Sequence, residues 1–332
     1  MLEPKDDRWS TFDLVEGFHL SHAISALHSL GVLETLRRPL TPEAAAKIHG
    51  LDPALIGGLL EYVAARTALV RKTGKRFTST DSYSPHSRFL LELYTGAYRD
   101  HAVHLEKMLR RPKLAPAAVD RKRHARAFKM ARSILVNGLP ELIQQLQFNH
   151  VLDIGCGSGR LLVQLAKQNP DFIGWGLEAN PAMCKVARAA IRSAGIKGIH
   201  IIEGDSRNLQ RALPADVRSG VAAVTACQVA NEMFGVGSSG FVAWLRGLHS
   251  VFPGRPLLIA DYYGRLGSKA SGNQRETILH DYVQLISGQG VPPGSIRKWK
   301  ALYAEAGCRL LHAIEDTHTT RFIHVVVLAG SL

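Results

Sequence analysis

The sequence predicts an α/β protein in which an open, mainly parallel sheet follows a mainly helical N-terminal domain. Beyond residue 148, seven apolar strand candidates follow one another, most of them separated by helical segments, which is typical of an open α/β sheet. Ahead of them, apolar residues recur at three- and four-residue steps, as in amphipathic helices. Between the two patterns, residues 151–160 read VLDIGCGSGR, with three glycines in five residues.

Composition excludes several classes of protein. The 332 residues are 46% hydrophobic and 21% charged, an ordinary globular balance. No apolar run approaches the roughly 20 residues of a membrane span, and the first ten residues lack the apolar centre of a signal peptide. The cysteines have no paired spacing, so we expect no disulfide, no zinc site and a reducing, cytoplasmic setting; they are Cys156, Cys184, Cys227 and Cys308.

The formal net charge of +13 raises the question of an acidic partner. Its densest basic segment runs from residue 110 to 129 and includes Pro112 and Pro116, as expected of a connection between domains. A solvated face of that connection is the preferred interpretation. An anionic substrate comes second and nucleic acid third.

The first 80 residues predict helices and a hairpin in the order of a winged-helix unit. Thr41 and Asp52 are predicted helix N-caps, each followed by a proline, and Gly50 is a predicted helix end. The segment around residues 73–75 predicts a hairpin turn. Apolar residues are expected on one face of the first helix and of the helix after Asp52, namely Leu20, Ala23, Ile24, Leu27 and Leu30, and Leu55, Ile56, Leu59, Leu60 and Val63.

The helix after Asp52 would enter a DNA groove if the unit bound DNA. Its sequence, DPALIGGLLEYVAARTA, contains two acids and one arginine and is otherwise mostly apolar. A groove-reading helix needs Arg, Lys, Asn or Gln at exposed positions. We therefore predict a dimerisation domain at 1–110, a helical connection lining the substrate pocket at 111–147, and a catalytic domain at 148–332.

The glycine stretch predicts a ligand-binding turn. Gly155, Gly157 and Gly159 follow an apolar strand and precede a helix, so backbone N–H groups there can face a ligand without an intervening Cβ. Such turns lie at the carboxyl edge of an open sheet, where ligands bind. A purely structural turn is the alternative.

Three acids end three successive strands and indicate the ligand. Asp153 precedes the glycines, Glu178 follows 25 residues later, and Asp205 a further 27. The Gly-x-Gly-x-Gly spacing differs from the dinucleotide fingerprint. A carboxylate before the turn suits a cation, Glu178 suits two ribose hydroxyls, and Asp205 suits an adenine amino group. Together they predict S-adenosylmethionine, with a dinucleotide as the weaker alternative.

These motifs resemble those of the class I S-adenosylmethionine-dependent methyltransferases, which have a Rossmann-like seven-stranded sheet. Over nearly the whole chain the sequence resembles the dimeric small-molecule O-methyltransferases of secondary metabolism, which carry a winged-helix N-terminal domain. That resemblance implies a homodimer. It also implies that Phe128 and Met130, in RAFKMARS, line the substrate pocket, and that three further residues lie beside the cofactor: Ser206, Cys227 and Gln228.

The acceptor site departs from the family pattern. Where the family has a His-Asp pair after the fourth strand, this chain has Asn231 and Glu232. Because asparagine cannot accept a proton at neutral pH, three interpretations stay open: Glu232 is the base, with its pKa raised by burial; the substrate needs no strong base; or the chemistry is altered or absent. As a structural alternative, the two residues cap the next helix.

Four further residues are candidates for the pocket. Tyr262 and Tyr263 end the fifth strand, beside Asp261, and His280 and Asp281 fall on a predicted helix over the pocket; packing roles are the alternative. No prolines or aromatic residue directly follow Asn231, which argues against a nucleic-acid amino-methyltransferase.

The sequence thus predicts methyl transfer from S-adenosylmethionine to a small natural-product-like molecule, with O-methylation preferred. The alternatives are C- or N-methylation of an anionic small molecule, or a winged-helix regulator that binds the cofactor without catalysis.

Overall fold

The computed structural model describes residues 9–130, 138–268, 274–316 and 319–329, with only the backbone of Phe128 and Lys129. The chain divides into two compact units. The first takes its residues from Met1–Arg99 and Arg126–Ala131, the second from Asp100–Ala125 and Arg132–Leu332. The predicted connection at 111–147 therefore contributes residues to both units. None of the described helices is long and apolar enough to cross a membrane.

The first unit contains the helices and hairpin that the sequence predicts. Thr41 caps a helix by accepting a hydrogen bond from the Ala44 N–H, and Asp52 accepts one of 2.8 Å from the Leu55 N–H. Gly50 ends a helix with φ 65°. The elements are α1 (Thr11–Ser29), α2 (Val32–Thr35), α3 (Pro42–His49), α4 (Pro53–Arg66), β1 (Val70–Thr73), β2 (Arg76–Ser79), α5 (Pro85–Glu92) and the π-helical turn Leu93–Ala97.

The apolar residues of this unit are only partly used in its core. Leu27 of α1 and Leu60 of α4 are fully buried, as the helical spacing predicts, but Leu55 is 71% exposed. The first half of α1 also exposes apolar side chains, including Phe12 at 70% and Phe18 at 52%. Exposed apolar side chains that form a contiguous patch are typical of association surfaces.

The second unit begins with short helices and continues into the alternating strands and helices. Helices α6 and α8 contribute residues to both units. The elements are α6 (Arg99–Val103), α7 (Leu105–Arg110), α8 (Arg121–Met130), α9 (Leu139–Gln145), β3 (His150–Ile154), α10 (Arg160–Gln168), β4 (Ile173–Glu178), α11 (Pro181–Ser193), β5 (Ile199–Glu203), α12 (Leu209–Ala212), α13 (Ala215–Gly220), β6 (Ala223–Cys227), α14 (Ser238–Val251), β7 (Pro256–Tyr262), α15 (Arg275–Ile286), α16 (Ile296–Glu305), β8 (Arg309–Asp316) and β9 (Arg321–Val327).

The sheet of this unit has seven strands in the order β5-β4-β3-β6-β7-β9-β8. Strands β3 to β7 are parallel, whereas β9 runs antiparallel to both β7 and β8. The predicted seven-stranded, mainly parallel sheet is confirmed. Strand order reverses between β3 and β6, so the carboxyl ends of these two strands border the crevice in which open α/β sheets bind ligands.

Candidate active site

The three glycines form the predicted tight turn between β3 and α10. Their φ angles are 62° at Gly155, 54° at Gly157 and 72° at Gly159. All three lie in the left-handed region, which a residue with a Cβ enters at a cost. Backbone conformation alone therefore favours glycine at each position.

The surroundings of the three glycines differ. A Cβ at Gly155 would overlap the Cγ2 atom of Val229, and one at Gly159 would lie 3.4 Å from the Cβ of Ala187. A Cβ at Gly157 would find no protein atom closer than 3.9 Å, the Met183 Cε. Packing against Val229 therefore requires glycine at position 155, a Cβ at Gly159 would make an ordinary contact with Ala187, and the middle glycine leaves room for a ligand.

Glu178, the last residue of β4, joins its carboxylate to this turn. Its Oε2 accepts a hydrogen bond of 3.0 Å from the Gly157 N–H, and its Oε1 accepts one of 2.7 Å from the Asn180 N–H. A carboxylate has about four lone-pair sites. Glu178 therefore retains capacity to accept hydrogen bonds from a ligand at Gly157.

Asp153 lies within β3 and is 3% exposed. Its Oδ1 accepts a hydrogen bond of 2.7 Å from the hydroxyl of Thr225 on β6. Burial raises the pKa of Asp153 to about 7, against the opposing effect of the Thr225 hydrogen bond and with a smaller contribution from the Glu178 charge. A cationic ligand nearby would favour the ionised carboxylate.

Asp205 and Ser206 follow the end of β5. The Asp205 carboxylate caps the short helix Ser206–Asn208 by accepting from the Arg207 N–H at 2.9 Å, and the Arg207 guanidinium lies 3.3 Å from it. The indole N–H of Trp244 donates to the Ser206 hydroxyl at 3.2 Å. The sequence reasoning missed Arg207 and Trp244, and Trp244 belongs to α14, for which no sequence signal indicated a place in the site.

The end of β6 carries Cys227 and Gln228. Burial raises the pKa of the Cys227 thiol, so the side chain remains a thiol at neutral pH. Gln228 adopts φ 54°, and its N–H donates to the Ala260 carbonyl at 2.8 Å. A non-glycine residue in the left-handed region is uncommon and is often found at functional sites.

Asn231 and Glu232 lie in the single 3₁₀ turn Ala230–Phe234, hereafter the acceptor turn. The Asn231 N–H donates to Asp261 Oδ2 at 3.0 Å, and the Tyr262 N–H donates to Asp261 Oδ1 at 2.9 Å. Burial raises the pKa of Asp261 to about 7, against the effect of these hydrogen bonds. The buried Asp261 therefore ties the acceptor turn to the end of β7.

The interpretation of Asn231 and Glu232 as caps of the next helix is wrong. Helix α14 begins at Ser238 with Gly237 at its N-cap, beyond both residues. The side-chain Oδ1 of Asn231 is buried and has no hydrogen-bond partner within the described part of the chain. Such an atom costs free energy unless a ligand or water satisfies it.

The Glu232 carboxyl is affected by the charge of Glu178, which is hydrogen-bonded to the glycine turn. Burial raises the pKa of the Glu232 carboxyl; the charge of Glu178 adds to this rise, while Arg121 and Arg207 oppose it. A carboxyl with a raised pKa is a better proton acceptor at neutral pH than an ordinary one. Arg121, on α8, lies in the basic segment for which the sequence predicts a solvated face, and no sequence spacing links it to Glu232.

The two tyrosines at the end of β7 have different surroundings. The Tyr262 ring lies 5.4 Å from the His280 ring, measured between centroids, and its hydroxyl interacts with Asp281. The Tyr263 hydroxyl pairs with His324 Nε2 at 3.0 Å within the hydrophobic core. Neighbouring strand residues point to opposite faces of a sheet, and here only Tyr262 is on the side of His280.

His280 and Asp281 lie on α15, as predicted. Asp281 is fully buried and accepts hydrogen bonds from the backbone N–H groups of Arg265 and Leu266. Burial lowers the pKa of His280 to about 4, so its ring is neutral at pH 7. Of the predicted wall residues, the Phe128 side chain lies outside the described residues, and Met130 belongs to the first unit.

No group of three or more metal-ligating side chains occurs among the residues that the structure describes. The site instead combines a glycine turn, carboxylates at three adjacent strand ends and a polar wall from β7 and α15. This constellation at the switch point of a parallel sheet is the form of a nucleotide- or nucleoside-binding α/β fold.

Comparisons with known proteins show which families and solved structures this chain is similar to. Residues 147–223 match the family model described as "Putative methyltransferase". A tRNA (guanine-N(7)-)-methyltransferase of Campylobacter jejuni is 38% identical over 76 residues, which is 23% of this chain and 19% of that protein. A Helicobacter pylori protein of the same name is 35% identical over 74 residues. The chain thus spans about a fifth of the length of the curated relatives it matches.

Solved structures match over nearly the whole chain. Mitomycin 7-O-methyltransferase MmcR has a TM-score of 0.74 at 19% identity, covering 95% of this chain and 96% of its own. The O-methyltransferase NcsB1 from neocarzinostatin biosynthesis, solved with S-adenosylmethionine and 2-hydroxy-5-methyl naphthoic acid, has a TM-score of 0.70 at 18% identity and covers 92% and 95%. The chain therefore has the fold of the class I S-adenosylmethionine-dependent methyltransferases, preceded by a helical N-terminal domain.

Proposed function

We propose that this chain is an S-adenosylmethionine-dependent methyltransferase that acts on a small natural-product-like molecule. One observation carries the proposal: the Glu178 carboxylate meets the N–H of Gly157, the one glycine of the turn with room for a ligand. Glu178 would accept hydrogen bonds from the ribose hydroxyls. Asp205 would accept from the adenine amino group, and Asp153 would face the cationic methionine end.

S-adenosylmethionine, when bound, would supply a methyl group for in-line displacement and leave as S-adenosylhomocysteine. Glu232 would take the proton of the substrate hydroxyl whose oxygen receives that methyl group. The raised pKa of Glu232 supports this role. C- or N-methylation is the second candidate, because Asn231 stands where the resembling family has its basic histidine. The net charge of +13 supports an anionic acceptor, and NcsB1 was solved in complex with an aromatic hydroxy acid.

The exposed apolar face of α1 supports a homodimer formed through the first unit. Phe12, Leu14, Val15 and Phe18 are each more than half exposed there. Burying such a face against a second copy would remove a large apolar area from water, at roughly 25 cal/mol per Å². All four cysteines are unpaired thiols, which supports the proposed cytoplasmic setting.

Calorimetric titration with S-adenosylmethionine, with NAD as the control ligand, tests the cofactor. We expect binding of S-adenosylmethionine alone. Binding of NAD alone, or of neither compound, would contradict the proposal. A panel of small hydroxylated aromatic acids, assayed with S-adenosylmethionine labelled in its methyl group, then identifies an acceptor for the measurements below.

A further inference from the structure

Backbone from two other segments touches the last two residues of the acceptor turn. Gly240 lies in the first turn of α14, and a Cβ there would be 2.6 Å from the carbonyl oxygen of Met233. Gly290 lies in the segment after α15, and a Cβ there would overlap the carbonyl oxygen of Phe234. Each of these two carbonyls therefore faces a glycine of a different segment, and neither contact leaves room for a side chain.

The contact with the segment after α15 involves glycines on both of its sides. Gly235 directly follows the acceptor turn, and a Cβ there would overlap the carbonyl oxygen of Gly288. The Cβ position of Gly290, besides overlapping Phe234, is 2.9 Å from the Gly235 nitrogen. The two segments thus lie backbone against backbone, and this close approach requires glycine at positions 235 and 290.

The α15–α16 loop, residues 287–295, is held in place by neighbouring segments. The indole N–H of Trp299, a fully buried residue of α16, donates to the Pro293 carbonyl at 3.0 Å. The Arg265 guanidinium, in the loop after β7, donates to the Gly294 carbonyl at 2.7 Å. Ser287, at the start of the α15–α16 loop, is fully buried. The loop is therefore a fixed surface against which the acceptor turn packs.

The other end of the acceptor turn is fixed against the glycine turn and β7. Val229, which directly precedes the acceptor turn, fills the space that a Cβ at Gly155 would need. The Asn231 N–H donates to Asp261 at the end of β7. Glu232 lies between these contacts and the glycine contacts at the far end. The acceptor turn is thus held at both ends, and one of its contacts is with the glycine turn.

We propose that Gly235, Gly240 and Gly290 are positioning residues that hold the Glu232 carboxyl at a fixed place relative to the glycine turn. This inference rests on the proposed function, in which Glu232 takes the substrate proton. The three glycines act through the backbone of the acceptor turn. A general base must lie within hydrogen-bond reach of the proton it takes, and a misplacement of about 1 Å can lower a rate by roughly 100-fold.

Gly290→Ala and Gly235→Ala test the inference from the two sides of the same contact. Each should lower kcat by about tenfold or more, because the added methyl displaces the acceptor turn. The affinity for S-adenosylmethionine should not change, because Gly155, Gly157 and Gly159 are untouched. Methyl transfer to the acceptor found in the panel and calorimetry measure the two effects. Gly235 has a helical φ of −57°, so overlap alone accounts for a defect there.

Gly237→Ala is the matched control for Gly290→Ala. Gly237 has φ 78° and Gly290 has φ 80°, so both variants carry the cost of a left-handed alanine. The Cβ position of Gly237 is open, and its N–H still donates to the Phe234 carbonyl at 2.8 Å. Thermal unfolding should therefore show a loss of stability in the control, while its kcat stays at the wild-type value.

The double variant of Gly235 and Gly290 gives a second readout. Both substitutions disturb one contact, so their combined loss in kcat should be smaller than the product of the two single losses. An equal loss of kcat in Gly237→Ala would overturn the inference, since it would show a general effect of stability. An unaltered kcat in both Gly235→Ala and Gly290→Ala would overturn it as well.

Amide hydrogen exchange separates this inference from the proposed function, because it needs no substrate. The Asn231 N–H donates to Asp261 and the Glu232 N–H to the Val229 carbonyl, each at 3.0 Å, so their exchange reports opening of the acceptor turn. Both amides should exchange faster in Gly290→Ala than in the wild type or in Gly237→Ala.

The two proposals can fail independently. Faster exchange in Gly290→Ala, together with a wild type that neither binds S-adenosylmethionine nor transfers methyl groups, would show that the glycines hold the acceptor turn and that the proposed function is wrong. Methyl transfer by the wild type, with exchange and kcat unaltered in Gly290→Ala, would show that the positioning role is wrong and that the proposed function stands.

Discussion

The carboxylate of Glu178 accepts a hydrogen bond of 3.0 Å from the backbone N–H of Gly157. This bond joins the end of β4 to the turn after the neighbouring strand β3, which borders the switch point. It fixes an acceptor group at the one glycine of the turn whose Cβ position is open. The shape of the turn therefore depends on the same carboxylate that we propose as the acceptor of hydrogen bonds from the cofactor.

Glu178→Gln should weaken S-adenosylmethionine binding by about tenfold or more, which corresponds to roughly 1.4 kcal/mol. The amide has one acceptor oxygen where the carboxylate has two, and it lacks the charge that strengthens hydrogen bonds from ribose hydroxyls. Calorimetry measures the change. Glu203→Gln, an exposed acid at the end of the neighbouring strand β5, is the control and should leave the affinity unchanged. Equal affinities in both variants would exclude Glu178 from the cofactor site.

Gly157→Ala and Gly155→Ala should separate binding from folding. At Gly157 the added methyl fits the protein, so stability should fall only by the cost of a left-handed alanine, about 1–2 kcal/mol, while cofactor binding is lost. At Gly155 the methyl overlaps Val229, so overpacking should add up to about 3 kcal/mol. Denaturant unfolding and calorimetry measure the two effects.

Gly195→Ala is the matched control for this pair. Gly195 has φ 68°, and its Cβ position is open on every side. The variant should lose only the stability that a left-handed alanine costs, and it should bind the cofactor normally. Normal binding in Gly157→Ala as well would show that no ligand approaches the turn there.

The affinity for S-adenosylmethionine should rise between pH 6 and pH 8. The pKa of Asp153 is about 7 in the ligand-free protein, and a cationic ligand favours the ionised carboxylate, so binding releases a proton in this range. Calorimetry across pH measures the slope. Asp153→Asn should bind more weakly and lose that slope; an unchanged slope would assign the titration to another group.

Glu232→Gln should lower kcat by about 100-fold with cofactor affinity unchanged, since a positioned general base contributes roughly 10²–10⁴ in rate. In the wild type, kcat should rise with pH through the raised pKa of Glu232, and the variant should lose this dependence. Methyl transfer from labelled S-adenosylmethionine to the acceptor found in the panel measures both. An unaltered rate would favour a substrate that needs no base, as in C-methylation.

Phe18→Asp should dissociate the proposed homodimer, because it places a charge on the exposed apolar face of α1. Light scattering after size-exclusion chromatography measures the mass. Leu109→Asp on α7, where the original side chain is 73% exposed, is the control and should leave the dimer intact. A monomeric wild type would contradict the proposal directly.

Several parts of the site were accessible from the sequence because they depend on local order. A strand, turn and helix repeat at a nearly constant spacing, so Asp153, Glu178 and Asp205 could be assigned to strand ends by counting. The caps at Thr41 and Asp52 satisfy backbone groups only three residues away, and they too were predicted correctly. These interactions are short in sequence, and their residue types follow from backbone chemistry.

Other parts depended on which strands and helices become neighbours. The bond from Thr225 to Asp153 spans 72 residues, and the bond from Asn231 to Asp261 spans 30. Arg121 lies in a basic segment for which the sequence predicts a solvated surface. In the folded protein its charge opposes the rise in the pKa of Glu232. Strand order and helix packing set these pairings, and no spacing within one segment encodes them.

The sequence by itself determined the sheet, the strand-end carboxylates and the need for a tight glycine turn, because backbone geometry and periodicity act over a few residues. Only the tertiary structure decided what each glycine is for: Gly155 and Gly159 face protein, and Gly157 faces open space. It also decided that Ile56 is buried while its neighbour Leu55 is exposed. Burial depends on what packs against a residue, and that is set by chain segments far away in sequence.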